Sequence, residues 1–270
     1  MRLPSVQTVY VYPVSIQLYT VRQYLESEGP EAILKHIAKA GYDAVEPGDV
    51  GPDPAAYLRR IQDLGMTVSS WFGPFPDAEH LNQVIETAKA LEVENVVCGF
   101  WIPDFESLEA IGRTAEKLRE GLHALHAAGL NLCMHNHWFE FNLVDGHLAM
   151  DRLLNACPGL KLELDIYWAS NFGAVDVQTV VRTRSDCIPL LHVKDGPLVK
   201  DEPQTAVGQG KLDIPAIINA ADPKVLKWLV VELDECATDM WTAVEESVAF
   251  LRRSGLAKAQ HSNPFIGPEG

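Results

Sequence analysis

Four side chains that could share a divalent cation are spread through the second half of the chain: Glu140, Asp165, His192 and Glu232. Three carboxylates and one imidazole form a hard, mostly oxygen donor set suited to Mn²⁺, Mg²⁺ or Co²⁺, with Zn²⁺ within its range. Without a cation, carboxylates facing one another in a low-dielectric cup repel and take up protons. One bound dication removes that conflict. Each acid alone is read more simply as an ion pair or a helix cap, so the set has meaning only if the fold gathers it. The run "LCMHNHWFEFN" (132–142) sharpens the question, because it starts as an apolar strand and then offers His135, Asn136, His137 and Glu140 among aromatics.

The elements that must position these groups alternate along the chain. Short β-rich runs fall at 14–19, 43–47, 67–72, 95–100, 131–136, 160–166, 189–194 and 228–234. Most are nearly continuous in apolar or β-branched residues, as parallel strands covered on both faces should be. Between them lie helical stripes. Leu108, Ile111, Ala115, Leu118, Leu122 and Leu125 recur at steps of three and four, as do Trp241, Val244, Val248 and Leu251. Gly41, Gly65 and Gly129 stand where a helix gives way to the next strand and are expected to adopt the left-handed conformation there. The helices after the sixth and seventh strands, notably around 212–221, are the least regular. Eight strand–helix units without a break in composition predict an α/β fold, a single-domain (β/α)8 TIM barrel over residues 1–256 followed by a C-terminal tail, 257–270. A doubly wound open sheet is the alternative, but no G-x-G-x-x-G follows an early strand.

In such a barrel, chemistry sits at the carboxyl ends of the strands. Reading those positions gives Gln17, Glu46, Trp71 and Phe72, Phe100 and Trp101, then His135, His137 and Glu140. Asp165 and Trp168, His192 and Lys194, and Glu232 and Asp234 follow. Glu140, Asp165, His192 and Glu232 come from four adjacent strands and can converge on one metal. Four of the six tryptophans lie at this rim, which reads as the wall of a pocket in which aromatic faces meet sugar C–H groups. Glu46, Trp71, His135, Trp168 and Lys194 are expected to contact substrate. His135 also reads as a support, Lys194 as the partner of an acid, His137 as substrate contact or support, and Glu163 as a buried partner beneath the site.

Composition excludes several classes. A net charge of −15, from 37 acidic and 22 basic residues, repels phosphate backbones and anionic bilayers, so neither nucleic acid nor membrane is an expected partner. Five scattered cysteines without a C-x-x-C pair suggest reduced thiols in a cytoplasmic protein. The opening residues, with prolines at 4 and 13, do not read as a signal peptide. The Pro/Gly-rich tail reads as a loose end or as an arm on a neighbouring subunit, which would make a homo-oligomer.

The motifs "SIQLYTVR", "GYDAVEPG", "HNHWFEF", "LELDIYWA", "LHVKDG", "GQGKLDI" and "VVELDE" together resemble the sugar isomerase/epimerase superfamily with the xylose-isomerase-like TIM barrel, over nearly the whole chain. That resemblance implies one divalent metal held by Glu, Asp, His and Glu at the ends of strands five to eight. Asp165, His192 and Glu232 match these positions. Ketose epimerases place the strand-five glutamate in an E-x-x-N pattern, whereas this chain has "HNHWFEF"; His135 or His137 therefore stands beside Glu140 as ligand or acid/base. Trp168 replaces the histidine often found three residues after the aspartate. The resemblance implies proton abstraction next to a sugar carbonyl, with Glu140 and Glu232 as acid/base candidates and His137 in reserve. A lyase eliminating from a 3-keto sugar or related polyol is the runner-up, and a non-catalytic sugar-binding barrel comes third. An abasic-site endonuclease shares the barrel but needs a basic face and more histidines. "VGQGKLD" offers glycines and Lys211 but no basic cluster for a phosphate.

Overall fold

Runs rich in Val, Ile and Leu form the strands of the computed structural model, which describes residues 10–258. The readings of the first nine residues and of the tail from 259 lie outside the described residues. The strands are β1 (Val14–Gln17), β2 (Ala44–Glu46), β3 (Thr67–Val68), β4 (Trp71–Phe72), β5 (Asn95–Cys98) and β6 (Asn131–His135), all short. A hairpin of β7 (Leu143–Val144) and β8 (His147–Leu148) stands apart from the main sheet. β9 (Lys161–Asp165), β10 (Leu190–Val193) and β11 (Trp228–Val231) complete the set.

The main sheet is parallel throughout and runs β3-β2-β1-β11-β10-β9-β6-β5-β4. Its two ends, β3 and β4, are consecutive in the chain and separated only by Ser69 and Ser70. Ser69 N and Phe72 N still donate to Val45 O and Pro47 O, both at 3.1 Å, so the third strand continues alongside the second through the break. The sheet thus returns on itself as the expected (β/α)8 barrel, with its third strand split.

The helices match the apolar stripes. In α5 (Leu108–Ala127), Ser107 caps the free amide of Ala110 at 3.1 Å, and Ile111, Ala115, Leu118 and Leu125 are buried. Burying side chains of this size contributes roughly 1.5–3 kcal/mol each, and Leu118→Asp would break the contact with the sheet. α2 (Pro30–Ala40) starts with proline in its first turn, buries Ile33, Leu34 and Ile37, and stops at Gly41. Gly41, Gly65 and Gly129 have φ of 102°, 75° and 79°, as their positions between helix and strand predict. α10 (Met240–Arg253) buries Val244, Val248 and Leu251. The irregular region after the sixth and seventh barrel strands holds only short helices: α7 (Ile166–Ala169), α8 (Val177–Thr183) and α9 (Ile214–Asn219). The remaining helices are α1 (Leu25–Glu28), α3 (Pro54–Asp63), α4 (Leu81–Ala90) and α6 (Ala149–Ala156).

Most apolar side chains pack in one layer between sheet and helices. A second, smaller cluster of Val97, Cys133 and Leu190, with Phe72 and Trp228 against it, forms a separate core. Because side chains alternate along a strand, residues two further on share its face. Cys133 therefore leads to His135, and Leu190 to His192. All five cysteines are free. Among the described residues, no helix is long and apolar enough to cross a membrane.

Candidate metal centre and cavity

Strand register brings the polar groups together. His192 pairs with Asp165 across β10 and β9, and His135 pairs with Glu163 across β6 and β9. His192 also lies opposite Val230, so continuing that register by two sets Lys194 beside Glu232. Asn136 locks two strand ends: its Oδ1 accepts from Asp165 N at 3.0 Å, and its Nδ2 donates to Asp165 O at 3.2 Å.

His135, Asp165, His192 and Glu232 are all buried, and each presents one ligand atom within 4.8 Å of the others. His135 Nδ1 has no hydrogen-bond partner among the described residues, and Glu163 Oε2 lies 3.3 Å from it. Burial, followed by the charge of His192, holds the His135 pKa well below the usual histidine value, so its ring is neutral and free to ligate. Two imidazoles and two carboxylates fit one divalent cation. This set is softer than three carboxylates and one imidazole.

Behind the cluster lies a support. His192 Nδ1 is 2.9 Å from Glu232 Oε2, while Nε2 is 3.0 Å from Glu46 Oε1 and 3.1 Å from Glu163 Oε2. Carboxylates on the far nitrogen of a ligating histidine fix its tautomer and ring angle. Glu46 is in turn held by Gln17 Nε2, which donates at 2.6 Å, and by the Ser70 hydroxyl. Burial would raise the Glu46 pKa, but the His192 charge lowers it below the ordinary value. Glu163 is pushed well above it by burial and by Glu46.

Lys194 is 1% exposed and surrounded by acids. Its Nζ lies 2.7 Å from Glu232 Oε2, 2.8 Å from Asp234 Oδ2 and 2.9 Å from Asp165 Oδ2. Burial alone would raise the Glu232 pKa, yet Lys194 and His192 hold it well below the carboxylate range. Three carboxylates balance one ammonium plus one dication, so the pocket has charge to spare for a metal without losing Lys194.

Several expectations change. Glu140 does not join the ligand cluster: its Oε2 accepts from His137 N at 2.9 Å, and its Oε1 lies 3.9 Å from His137 Nδ1. The three-residue 3₁₀ turn Phe139–Phe141 turns it behind His137, and His135 takes the place expected for it. Glu46, expected at substrate, is fully buried behind His192. Trp71 is buried and donates to Gly48 O at 2.9 Å; Phe72 lines the cavity instead. Trp168 packs on Trp138 and Phe172 and has Lys194 Nζ 5.5 Å from its ring centroid, so it covers the lysine. Lys194 meets acids, the second of its two expected roles, rather than standing free for a substrate oxygen. The "GQG" glycines serve Asp195, whose carboxylate accepts from the backbone amides of Gly196, Gly208, Gly210 and Leu212 at 2.9–3.2 Å. A Cβ at Gly210 would overlap that carboxylate, which accounts for the motif without a phosphate.

Above the cluster opens a cavity of about 810 Å³, reached by Gln17, Phe72, Phe100, Trp101, His135, His137 and Glu232 among others. His137 lies between Trp101 (centroids 5.5 Å apart) and Phe139 (5.3 Å), with its Nδ1 buried. Its Nε2 is therefore the nitrogen left to meet a ligand. Sequence reading missed Asp234 as a partner of Lys194, although "VELD" sets it two residues after Glu232 on the same face. It also missed Ser70, whose role depends on the split third strand.

Residues 34–254 match the family described as xylose isomerase-like TIM barrel. No curated protein matches the chain in sequence. Among solved structures, a sugar phosphate isomerase/epimerase from Parabacteroides distasonis superposes with a TM-score of 0.73 at 21% identity, covering 98% of both chains. An L-ribulose 3-epimerase gives 0.68 at 21% identity, over 91% of this chain and 95% of its own. The probable 3-DHS dehydratase AsbF from Bacillus anthracis gives 0.68 at 12% identity, over 89% and 98%. At these identities the structural likeness is one of fold. The family match, spanning most of the residues, decides the affiliation: the chain belongs to the xylose isomerase-like TIM barrel family.

Proposed function

We propose that the protein is a divalent-metal-dependent sugar isomerase or epimerase that moves a proton at a carbon next to a sugar carbonyl. The observation that supports this reading is the convergence of His135, Asp165, His192 and Glu232 beneath a cavity whose wall includes His137. A dication held there supplies the charge that makes a C–H beside a carbonyl labile, by offsetting negative charge on the oxygens. Glu232, ionised at neutral pH, lines the cavity and can accept a proton. His137 Nε2 on the wall can return one or accept one from a hydroxyl. Glu140 lies behind His137 and orients it. The stacked Trp101 and Phe139 fix the ring, and Gln17 offers a hydrogen-bonding amide at the floor.

The same placement suits a second reaction. With His137 donating a proton to a leaving group on the adjacent carbon, proton removal would end in elimination, a reading supported by the presence of both His137 and Glu232 in the lining of one cavity. Incubation of metal-loaded protein with aldo-, keto- and 3-keto-sugars in D₂O tests both. Deuterium at one carbon beside the carbonyl is expected for isomerisation or epimerisation, and an unsaturated product for elimination. A protein that takes up no deuterium with any sugar, forms no unsaturated product and keeps its sugar affinity in EDTA would be a binding barrel.

A further inference from the structure

The cavity above the metal cluster is not uniform. One end holds Gln17, His135, His137 and Glu232. A second limb runs beneath the segment after β1 and against α2 and α3, where Val21, Leu25, Ile33, Leu34 and Tyr57 line it. Tyr57 Oη is buried there without a hydrogen-bond partner among the described residues, while other polar groups on that side are engaged. Arg22 donates to the carbonyls of Tyr19 and Asp234, each at 2.8 Å, and Asp49 Oδ1 accepts from Gly51 N at 2.8 Å.

Size and surface point the same way. The whole cavity, about 810 Å³, lies high in the range of roughly 300–1,000 Å³ that encloses drug-sized ligands, and well beyond the needs of one pyranose ring. At its mouth Leu25 is 51% exposed, Tyr19 52% and Trp101 69%. Exposed apolar side chains gathered at the mouth of a pocket are a feature of binding regions. A second sugar ring in the limb would find one free group, Tyr57 Oη, for its several hydroxyls and would bury the rest against aliphatic walls without partners, which is unfavourable. An aromatic or similarly apolar group would not incur that cost.

We propose that the limb is a subsite for an apolar, ring-sized substituent, so that the substrate is a sugar bearing an aryl-like group rather than a free monosaccharide. This rests on reading the polar end as the part that handles the sugar.

Isothermal titration calorimetry of metal-loaded protein with phenyl and methyl β-D-glycosides, matched in the gluco, galacto and xylo series, tests the subsite. The phenyl member of at least one pair is expected to bind about tenfold or more tightly, the yield of taking one ring's surface out of water. Leu25→Ser, at a half-exposed position that leaves folding intact, should remove much of that advantage and leave the methyl glycoside unchanged. Equal affinities in every pair, no binding by either member of any pair, or an advantage untouched by Leu25→Ser overturns the proposal. So does light scattering that shows Leu25→Ser converting an oligomer to monomers, because the limb would then be an interface between copies. Deuterium exchange on free sugars without a phenyl preference would leave the proposed reaction standing and remove only this subsite; a preference without exchange would do the reverse.

Discussion

Lys194 Nζ lies 2.7 Å from Glu232 Oε2, an ammonium in contact with an acid that also belongs to the candidate ligand cluster. The lysine is an internal counter-ion shared by Asp165, Glu232 and Asp234. Removing one partner from a buried charged group is strongly destabilising, by about 3–5 kcal/mol. Lys194→Met should lose stability of that order in EDTA, and Mn²⁺ should stabilise the variant more than it does the parent. Urea denaturation with and without Mn²⁺ measures both; an unchanged midpoint in EDTA would count against the counter-ion role.

Glu46 is predicted to act on the metal through His192. Substituting a carboxylate that orients a ligating histidine typically weakens metal affinity by about 10–100-fold. Glu46→Gln keeps the size and the contacts to Gln17 and Ser70, so the barrel should still fold. Competition against a fluorescent chelator gives the affinity, and a value equal to the parent's would remove Glu46 from the support.

His135 and Glu140 should separate cleanly. His135→Gln is expected to lower bound metal and turnover together. Glu140→Gln is expected to retain metal and lose turnover by roughly 10²–10⁴-fold, because Glu140 faces His137 rather than the cluster. Metal analysis beside steady-state kinetics distinguishes the two. Loss of metal in Glu140→Gln with retention in His135→Gln would restore the sequence-based ligand set.

Metal loading should release protons. Burial alone would keep His192 neutral, but Glu163, Glu46 and Glu232 raise its pKa well above the usual histidine value, so the metal-free ring is charged near neutrality. Ligation through Nδ1 requires the ring to give up one proton. The sign follows: affinity rises with pH while the metal-free ring is still protonated, and falls on acidification. Mn²⁺ titration in weakly buffered solution should acidify the medium by up to about one proton per ion; no change in pH would contradict the assigned protonation.

Much of this arrangement was legible in the sequence, for identifiable reasons. All eight barrel strands were readable because parallel strands buried on both faces appear as continuous apolar runs, and Asp165, His192 and Glu232 follow from their positions at strand ends. Glu140 misled because strand-end logic does not foresee a 3₁₀ turn, which swings the acid behind His137. Glu46 misled for a different reason. Period-two alternation places a side chain inside the barrel but does not give its depth, and Glu46 ends beneath His192 rather than above it. The partnership of Lys194 with Asp234 needed a register between strands that are distant in sequence. The β7–β8 hairpin was also missed, although "VDGH" carries an Asp-Gly turn, with Asp145 at φ 48° and Gly146 at φ 77°.

The most direct test is anomalous diffraction from crystals grown with Mn²⁺. A single strong peak within bonding distance of His135, Asp165, His192 and Glu232, with Glu46 and Glu163 behind His192, is the predicted result. A peak bound to Glu140 in place of His135, or no peak while Lys194 stays between Asp165 and Glu232, would contradict the metal centre described here.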